Sequence, residues 1–345
     1  MLGGYSRGRV DLTAIRRALE RCLADHFAKA VNVAELRLLA GGASRKILGF
    51  DATVEGEAAS RSLVARMGAD PGRIRGSGVD EFALLGVAAE AGVCVPRVYC
   101  RSHIENTGES FYVMDRLPGD AIARKLLRDA TYARTRARLP TELARSLARV
   151  HSMDPTDPRL ASLGENGSDD EIARYRELLA LAAPGHPMPT LALGARWLER
   201  HRPARKTRAV VHGDFRIGNV MFDESGLTGV LDWELAHVGD PMEDLGWLAV
   251  RAWRFGANDK PIGGLCSREE FWAHYEREGG LAIDPKIARY WEIFGNWKWA
   301  VICVMQAAGH RASGKRDVEL ATIGRRVADV ELELLDLLEE ADLAR

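Results

Sequence analysis

Residues 212–219 read His-Gly-Asp-Phe-Arg-Ile-Gly-Asn, and residues 231–234 read Leu-Asp-Trp-Glu. A short apolar run leads into each segment, which is typical of a buried strand. Asp214 and Asn219 are close enough to share one loop, yet far enough apart to serve two different tasks. Asp232 arrives from the next strand along the chain. We therefore expect these three polar side chains to form one site.

These side chains have the chemistry of metal-dependent phosphoryl transfer. The carboxylate of Asp214 can orient an attacking hydroxyl, while Asn219 and Asp232 offer hard oxygen ligands to a Mg²⁺ ion that bridges nucleotide phosphates. A lone Asp-x4-Asn occurs often by chance, and Asp or Asn in a turn commonly caps backbone N–H groups. The ordered combination, with Gly-Asp-Pro following at 239–241, favours the phosphotransferase interpretation.

The same residues carry a resemblance to a known family. The segment resembles the aminoglycoside phosphotransferase and choline kinase-like superfamily, which shares the protein-kinase fold, and it is most similar to the branch related to kinase domains fused to acyl-CoA dehydrogenases. The resemblance implies an α+β fold with a small antiparallel-sheet lobe over residues 1–115, including a leading helix at 11–30. It implies a larger, mainly helical lobe over 116–345, with the catalytic loop at 212–219 and the metal strand and loop at 229–234.

Length and charge limit the classes of function. A chain of 345 residues can bury a large core and form two lobes. With 48 basic and 49 acidic residues the formal net charge is −1, so no global field attracts nucleic acid or an acidic membrane. The N-terminus lacks a signal-peptide core, and the apolar stretch 299–308 is too short to span a bilayer. We expect a cytoplasmic protein without nucleic-acid or membrane partners, and the oligomeric state stays open.

The cysteines give a further expectation. The chain has five, at positions 22, 94, 100, 266 and 303. An odd, dispersed set without Cys-x-x-Cys spacing predicts reduced thiols and no zinc site.

The N-terminal lobe contains a candidate phosphate loop. Strand-like runs cover residues 35–39, 47–54 and 61–67. Gly41, Gly42 and Ser44 lie between the first two, where a glycine-rich turn lets backbone N–H groups approach phosphate. Taken alone, the glycines favour an ordinary hairpin turn, and it is the resemblance that places a phosphate-covering loop here.

Arg66 and Glu81 are the candidate pair that holds the nucleotide phosphates. In the kinase-like fold a cation on the third strand has this task and is positioned by a Glu on the following helix, here predicted over 79–91. Most kinases have Lys at the position of Arg66. In having Arg there, this chain resembles the acyl-CoA dehydrogenase-associated branch. The guanidinium fork can engage Glu and phosphate together. The alternative is a solvated surface pair.

Two more strands are predicted over 96–100 and 110–114, and the second leads into the segment that the resemblance makes the hinge. Its backbone groups, including those of Arg116, would bond the purine edge, with Met114 covering the ring. By sequence alone Met114 is better explained as a packed strand residue, because Met commonly fills irregular gaps in a core. The resemblance implies ATP and Mg²⁺ as cofactors, with GTP left open.

Helical spacing dominates the rest of the chain. Helices are predicted over residues 131–151, 170–181, 190–200, 241–253, 268–278, 285–308 and 318–341. We expect His151 to be a core or capping residue, His212 to fix the catalytic loop, and His237 to lie in a surface loop. Asp240 before a proline predicts a helix cap, and Asp244 is expected to anchor the catalytic loop.

Arg216 and the acceptor remain open at this stage. Arg216 is a candidate to neutralise charge on the transferred phosphoryl group, or a solvent-facing loop residue. The acidic residues Glu165, Asp169, Asp170 and Glu171 are compatible with a cationic acceptor or with a solvated loop. The aromatic helix over 285–308 is typical of a core.

The conclusion from the sequence is a small-molecule kinase that transfers phosphoryl from ATP to a hydroxyl, with Asp214 and Arg216 as catalytic residues. A regulatory pseudokinase is one alternative, because Arg66 departs from Lys. A protein kinase is the other, and the missing Ala-Pro-Glu-like end of an activation segment argues against it.

Overall fold

The computed structural model describes residues 11–39, 46–68, 79–105, 107–165, 168–204, 207–312 and 318–343. The chain divides into two compact units. The first comprises residues 1–90 and 95–117, and the second comprises 91–94 and 118–345.

The described part of the first unit is an antiparallel sheet with two helices. The sheet has the strand order β1-β2-β3-β5-β4, and every neighbouring pair is antiparallel. Its elements are α1 (Leu12–Phe27), β1 (Val31–Leu38), β2 (Ile47–Val54), β3 (Arg61–Met67), α2 (Glu81–Glu90), β4 (Val98–His103) and β5 (Ser110–Asp115). The predicted bounds of β2 and β3 are confirmed. β1 begins four residues before the predicted start at residue 35. β4 begins two residues after its predicted start at residue 96 and ends three residues after its predicted end at residue 100.

Helix α1 begins and ends where its local chemistry dictates. The Asp11 carboxylate accepts hydrogen bonds from the backbone N–H groups of Thr13 and Ala14 at 3.0 and 3.2 Å, as an N-cap does. The helix ends at Ala28, which has a left-handed φ of 52°. Its apolar face, including the fully buried Leu19 and Leu23, packs into the core of the sheet.

One expectation about the cysteines is wrong. The structure joins Cys22 of α1 to Cys100 of β4 by a disulfide across 78 residues of sequence. Their spacing gave no signal, because it is the packing of α1 against the sheet that brings the two Cα atoms to 6.1 Å. Cys94, Cys266 and Cys303 are free thiols.

The second unit is mainly helical, as predicted. Its helices are α3 (Ala123–Arg128), α4 (Ala133–His151), α5 (Ser168–Ala182), α6 (Pro189–Arg200), α7 (Met242–Leu248), α8 (Arg268–Arg277), α9 (Pro285–Ala312), α10 (Val318–Gly324) and α11 (Val327–Leu343). Its strands form two small antiparallel sheets, β6 (Ala209–Val211) with β9 (His237–Gly239), and β7 (Val220–Asp223) with β8 (Gly226–Val230).

Two predicted helices are shorter than expected. The helix over 241–253 ends at Leu248, because the Arg254 guanidinium donates a hydrogen bond to the carbonyl of Ala249 at 2.8 Å. A separate short helical turn follows over Arg251–Trp253. The helix over 318–341 is two helices that meet after Gly324. A Cβ at Gly324 would lie 2.7 Å from Ala307, so this glycine permits a close approach to α9.

Helix α9 is the centre of the second unit. It packs against α7, α5, α6, α10 and α11. Gly246 of α7 makes the closest approach, since a Cβ there would lie 2.4 Å from the backbone of Trp291. Across the described ranges, no helix has the length and apolar character needed to cross a membrane.

Candidate active site

The predicted catalytic loop, residues 212–219, connects the two small sheets of the second unit. It leaves β6 at His212 and enters β7 after Asn219. The backbone N–H of Leu231, just after β8, donates to the carbonyl of Asn219 at 2.8 Å. This bond brings the segment before Asp232 against the end of the loop. Asp214, Asn219 and Asp232 are thus brought to one region of the second unit, as expected.

The Asp214 carboxylate is held by donors on both oxygens. Oδ1 accepts from Arg216 Nε at 3.1 Å and from Trp247 Nε1 at 2.7 Å. Oδ2 accepts from Asn219 Nδ2 at 2.5 Å. The side chain nevertheless keeps 19% of its surface exposed, so the carboxylate remains accessible to solvent. The three hydrogen bonds fix its orientation.

The amide of Asn219 has one orientation that satisfies its neighbours. Its nitrogen faces two acceptors of Asp214, the backbone carbonyl at 3.0 Å and the carboxylate at 2.5 Å. Since both are acceptors, the nitrogen must be on that side and the amide oxygen on the other. The amide oxygen is the atom that a hard cation would bind.

Asp232 has a backbone conformation that is unusual for its residue type. Its φ and ψ are 60° and 64°, in the left-handed region that non-glycine residues rarely adopt. Such strain typically costs about 1–3 kcal/mol and is often found at functional sites. The next residue, Trp233, is buried and donates its indole N–H to the carbonyl of Val230 at 3.1 Å. The buried tryptophan fixes the backbone next to Asp232, and Asp232 itself is exposed.

Asp244 anchors the catalytic loop, which confirms the expectation for this residue. It is fully buried in α7, and it accepts from the backbone N–H groups of His212 at 2.7 Å and Gly213 at 2.9 Å. Gly213 has a φ of 80°, and a Cβ there would lie 2.4 Å from the carbonyl oxygen of Leu235. Both facts require glycine at this position.

His212 is the internal brace of the loop, also as expected. The ring is fully buried, and Nε2 lies 3.0 Å from the carbonyl oxygen of Leu231. Nδ1 receives the backbone N–H of Asp214 at 3.2 Å, so the proton of the neutral ring is on Nε2. Burial lowers the pKa of His212, although Asp244 and Asp214 oppose the shift. A neutral imidazole is what this pattern of one donor and one acceptor needs.

His151 supports Asp244 from behind. It lies in the core at the end of α4, with Nδ1 2.7 Å from the Tyr275 hydroxyl and Nε2 3.2 Å from Asp244 Oδ2. The core role expected for His151 is confirmed. Burial alone would raise the pKa of Asp244, but the hydrogen bond and charge of His151, with help from His212, lower it. Asp244 therefore stays a carboxylate beneath the loop.

The surface-loop role predicted for His237 is wrong. His237 lies in β9, is 4% exposed, and contacts Glu243 Oε2 through Nε2 at 3.1 Å. Burial alone would lower the pKa of His237, and Glu243 raises it above the ordinary value. Local pattern does not predict this burial, because it results from the pairing of β9 with β6 in a segment that resembles a loop. Asp240 lies one residue before Pro241, the N-cap residue of α7, and not at the N-cap position itself as expected. Its side chain still accepts from the N–H of Met242, the first residue of the helix, at 2.9 Å.

The acidic segment near residue 170 is engaged in ion pairs. Glu171 is 6% exposed and lies 3.4 Å from the buried Lys298 ammonium. Glu165 is paired with Arg208. The side chains of Asp169 and Asp170 lie outside the described residues. Glu171 is thus part of a buried ion pair, whereas the pair of Glu165 and Arg208 is exposed.

Arg216 is ordered by two contacts. In addition to the bond from Nε to Asp214, its guanidinium carbon lies 4.6 Å from the centroid of the Trp253 ring. Its side chain is 26% exposed. The alternative of a freely solvated loop arginine does not describe this geometry, because the guanidinium is stacked on one partner and bonded to another.

Arg66 and Glu81 meet in the first unit. Arg66 Nε lies 3.1 Å from Glu81 Oε2, with the two side chains 8% and 3% exposed, so this is a buried pair and not a solvated one. Tyr112 stands opposite Arg66 in the β3–β5 register and donates its hydroxyl to Glu81 Oε2 at 2.9 Å. The sheet register therefore fixes the place of the pair.

The other predicted nucleotide contacts are less defined. Gly41, Gly42 and Ser44 lie outside the described residues. Met114 is buried in β5 between β3 and β4, the packed position that its sequence also allowed. Arg116 is exposed, and its backbone N–H donates to the Ser62 carbonyl at 3.1 Å. A purine contact from Arg116 would have to use its carbonyl or its side chain.

Sequence reasoning missed Trp247, the donor to Asp214 from α7. The side chain lies 33 residues beyond Asp214, and helical spacing identifies it only as a core residue. It also missed Lys298, which is buried among Trp247, Phe294 and Tyr175. The sequence places this lysine on the apolar face of α9. Because lysine is rarely buried unless it is paired, this position could have indicated a buried ion pair.

Comparison with known proteins now defines the class. The model of the phosphotransferase enzyme family, APH, matches residues 20–281, and the chain belongs to this family. The chain is 32% identical over 173 residues to acyl-CoA dehydrogenase family member 10 of Mus musculus, a match that covers 48% of this chain and 16% of the mouse protein. This finding confirms the resemblance to the acyl-CoA dehydrogenase-associated branch. The chain spans only a small part of the length of such relatives.

Solved structures confirm the predicted α+β, kinase-like fold. A protein of Ralstonia eutropha described as an aminoglycoside phosphotransferase matches with a TM-score of 0.74 and 20% identity, over 96% of this chain and 98% of that one. A mutant of aminoglycoside phosphotransferase APH(4)-Ia in ternary complex with ADP and hygromycin B matches with a TM-score of 0.56 and 17% identity, over 93% and 98%. At these identities the likeness concerns the fold.

Proposed function

We propose that this phosphotransferase is a small-molecule kinase that transfers the γ-phosphoryl group of ATP to a hydroxyl. The observation that carries the proposal is the Asp214 carboxylate, which three side-chain donors fix while part of its surface stays accessible. A fixed carboxylate is suited to align a hydroxyl and to receive its proton. The ADP and hygromycin B bound by the APH(4)-Ia relative support a nucleotide and a small-molecule acceptor.

Asn219 of the predicted catalytic loop and Asp232, which follows β8, fit Mg²⁺ as the metal. Across the described residues no group of three or more His, Cys, Asp or Glu side chains forms a metal site. One amide oxygen from Asn219 and one carboxylate from Asp232 nevertheless suit Mg²⁺, because this ion keeps several water and phosphate ligands. When bound, Mg²⁺ would neutralise charge on the nucleotide phosphates.

The chain's own residues divide the work of the transfer. We assign Arg66, positioned by Glu81, to the nucleotide phosphates, together with the backbone of Gly41, Gly42 and Ser44. Asp214 orients the acceptor hydroxyl and takes its proton, and Arg216 stabilises negative charge on the phosphoryl group in the transition state. Met114 and Arg116 are assigned to the purine.

A broad acceptor screen tests the proposal. Release of ADP from ATP with Mg²⁺ is measured with aminoglycosides, amino alcohols, sugars and hydroxyacyl compounds side by side, with water alone as the blank and with GTP as a second donor. We expect at least one hydroxyl compound to raise ADP release above the blank and to gain one phosphoryl group by mass spectrometry. No ADP release with any acceptor, despite tight binding of ATP, would instead favour a regulatory pseudokinase.

A further inference from the structure

Trp247 makes a contact with Asp214 that the roles assigned above do not use. It lies in α7 with 4% of its surface exposed, and its indole N–H donates to Asp214 Oδ1 at 2.7 Å. This is the short range expected for an N–H group that bonds a charged acceptor. The contact therefore orients the carboxylate directly.

The acceptor sites on Asp214 are unequally filled. Each carboxylate oxygen offers about two acceptor sites. Among the contacts that the structure describes, Oδ1 receives both Arg216 Nε and Trp247 Nε1, which fills its sites. Oδ2 receives Asn219 Nδ2, which leaves one site. A hydroxyl that approaches Asp214 therefore finds its acceptor on Oδ2.

The indole of Trp247 is itself held in place. The ammonium of the buried Lys298 lies 5.5 Å from the centroid of the ring, within the range of a cation–π contact. The rings of Trp253 and Trp299 lie 5.5 and 6.3 Å from it, centroid to centroid. The guanidinium of Arg216 also stacks on the ring of Trp253. Both donors to Oδ1, Arg216 and Trp247, therefore contact Trp253.

We propose that Trp247 is a positioning residue of the transfer site, which occupies Oδ1 of Asp214 so that Oδ2 receives the proton of the acceptor hydroxyl. The inference rests on the proposed function. In the step, the acceptor oxygen forms a bond to the γ-phosphorus, and the bond from that phosphorus to the bridging oxygen breaks. The electron pair of the broken bond leaves with ADP, and the hydroxyl proton moves to Oδ2.

The variant Trp247→Phe keeps an aromatic ring and removes the N–H donor. ADP release from ATP with Mg²⁺ is measured with the most active hydroxyl compound of the screen and with water. We expect kcat to fall about tenfold or more, the scale of one hydrogen bond to a charged group. The affinity for the ATP analogue AMP-PNP with Mg²⁺, measured by calorimetry, should change by no more than about twofold, because Trp247 acts on Asp214 and not on the nucleotide.

Trp297→Phe is the matched control. Trp297 is also a buried tryptophan of the second unit, and its indole N–H donates to the Leu191 carbonyl at 2.9 Å. This variant should lower the melting temperature in the same way and leave kcat unchanged. Equal losses of kcat in the two variants would show a general packing effect and overturn the inference.

A double variant separates this inference from the proposed function. If Trp247 acts through Asp214, Trp247→Phe should have little further effect on turnover in an Asp214→Asn background. Independent, multiplying losses would overturn the inference, as would an unchanged kcat in Trp247→Phe alone. If Asp214→Asn itself keeps the wild-type kcat, or if the wild type releases no ADP, the proposed function fails.

Discussion

Two arginine–carboxylate pairs in this molecule have the same length and different surroundings. In the first unit Arg66 Nε lies 3.1 Å from Glu81 Oε2, and in the second unit Arg216 Nε lies 3.1 Å from Asp214 Oδ1. The first pair is 8% and 3% exposed, and the second is 26% and 19% exposed. Distance alone does not distinguish them, but exposure does.

The difference in burial separates two kinds of task. Loss of one member of a buried pair leaves an uncompensated charge in a poor solvent, so such a pair is suited to hold a fixed geometry. A more exposed carboxylate can still receive a reactant. We therefore expect substitutions in the Arg66–Glu81 pair to change how the nucleotide is held, and substitutions at Asp214 to change the chemical step.

The largest effect is expected for Asp214→Asn, which keeps the shape of the side chain and removes its charge. Turnover should fall between about 10²- and 10⁴-fold, the usual contribution of general acid–base catalysis, while affinity for ATP with Mg²⁺ changes little. Single-turnover kinetics and calorimetry measure the two quantities separately. A variant that keeps its chemical rate and loses nucleotide binding would make Asp214 a metal or structural residue.

The second effect concerns the buried pair. Arg66→Ala should weaken productive use of ATP by roughly 2–4 kcal/mol, the scale for truncation of one member of a buried charged pair, and Arg66→Lys should recover part of this. Arg61→Ala is the matched control, because Arg61 lies on the same strand in a half-exposed pair with Glu57. Wild-type kcat/KM in both Arg66 variants would reject the role of Arg66.

The third effect concerns the metal. Loss of an outer-shell partner of a metal ligand typically lowers metal affinity by about 10–100-fold. Because Asp232 is assigned as a direct ligand, Asp232→Ala should reduce the Mg²⁺-dependent part of nucleotide affinity by at least this factor. Asp223→Ala, which removes a partly buried turn carboxylate bonded to Ser225 in the adjacent hairpin, is the control and should keep the metal dependence. An ATP-analogue complex with Mn²⁺ bound away from both Asn219 and Asp232 would contradict the assignment.

The sequence predicted those parts of the molecule that depend on local pattern. The bounds of β2 and β3 follow from short strand-like runs, and the supporting role of Asp244 was predicted together with the loop motif. The Arg66–Glu81 contact was an expectation from the resemblance to the kinase-like fold, in which a cation on the third strand pairs with a Glu on the following helix. These features lie within short segments or within a familiar order of elements.

The rest depended on contacts between distant segments. The Cys22–Cys100 bond, the donor Trp247 and the burial of His237 each result from packing across 78, 33 and 26 residues of sequence respectively, the last through the pairing of His237 with Val211. Nothing in the local pattern distinguishes these side chains from ordinary core or loop residues. The break after Gly324 has the same cause, since a close approach to α9 replaces the local preference for one long helix.

The smallest effect extends the comparison to the buried pair of His237 in β9 and Glu243 in α7. Because the folded-state pKa of His237 is raised, the stability contributed by its proton is fully present below the unfolded value of about 6.5 and is lost as pH rises through the folded value. His212, whose pKa is lowered by burial, has the opposite effect and costs stability as pH falls below about 6.5.

The two contributions are separated by removing one of them. His237→Gln should be destabilised most below about pH 6.5, and the gap to wild type in melting temperature should narrow as pH rises, since wild type then loses the same proton. Glu243→Gln removes the anion that raises the pKa of His237 and should flatten the same part of the curve. Lys298, which lies 3.5 Å from Glu243, keeps its charge over this range because the negative groups around it raise its pKa, despite the opposing effect of burial. The difference in melting temperature between His237→Gln and wild type could instead stay constant with pH. That result would mean that folding does not raise the pKa of His237, and that Lys298 balances the charge of Glu243.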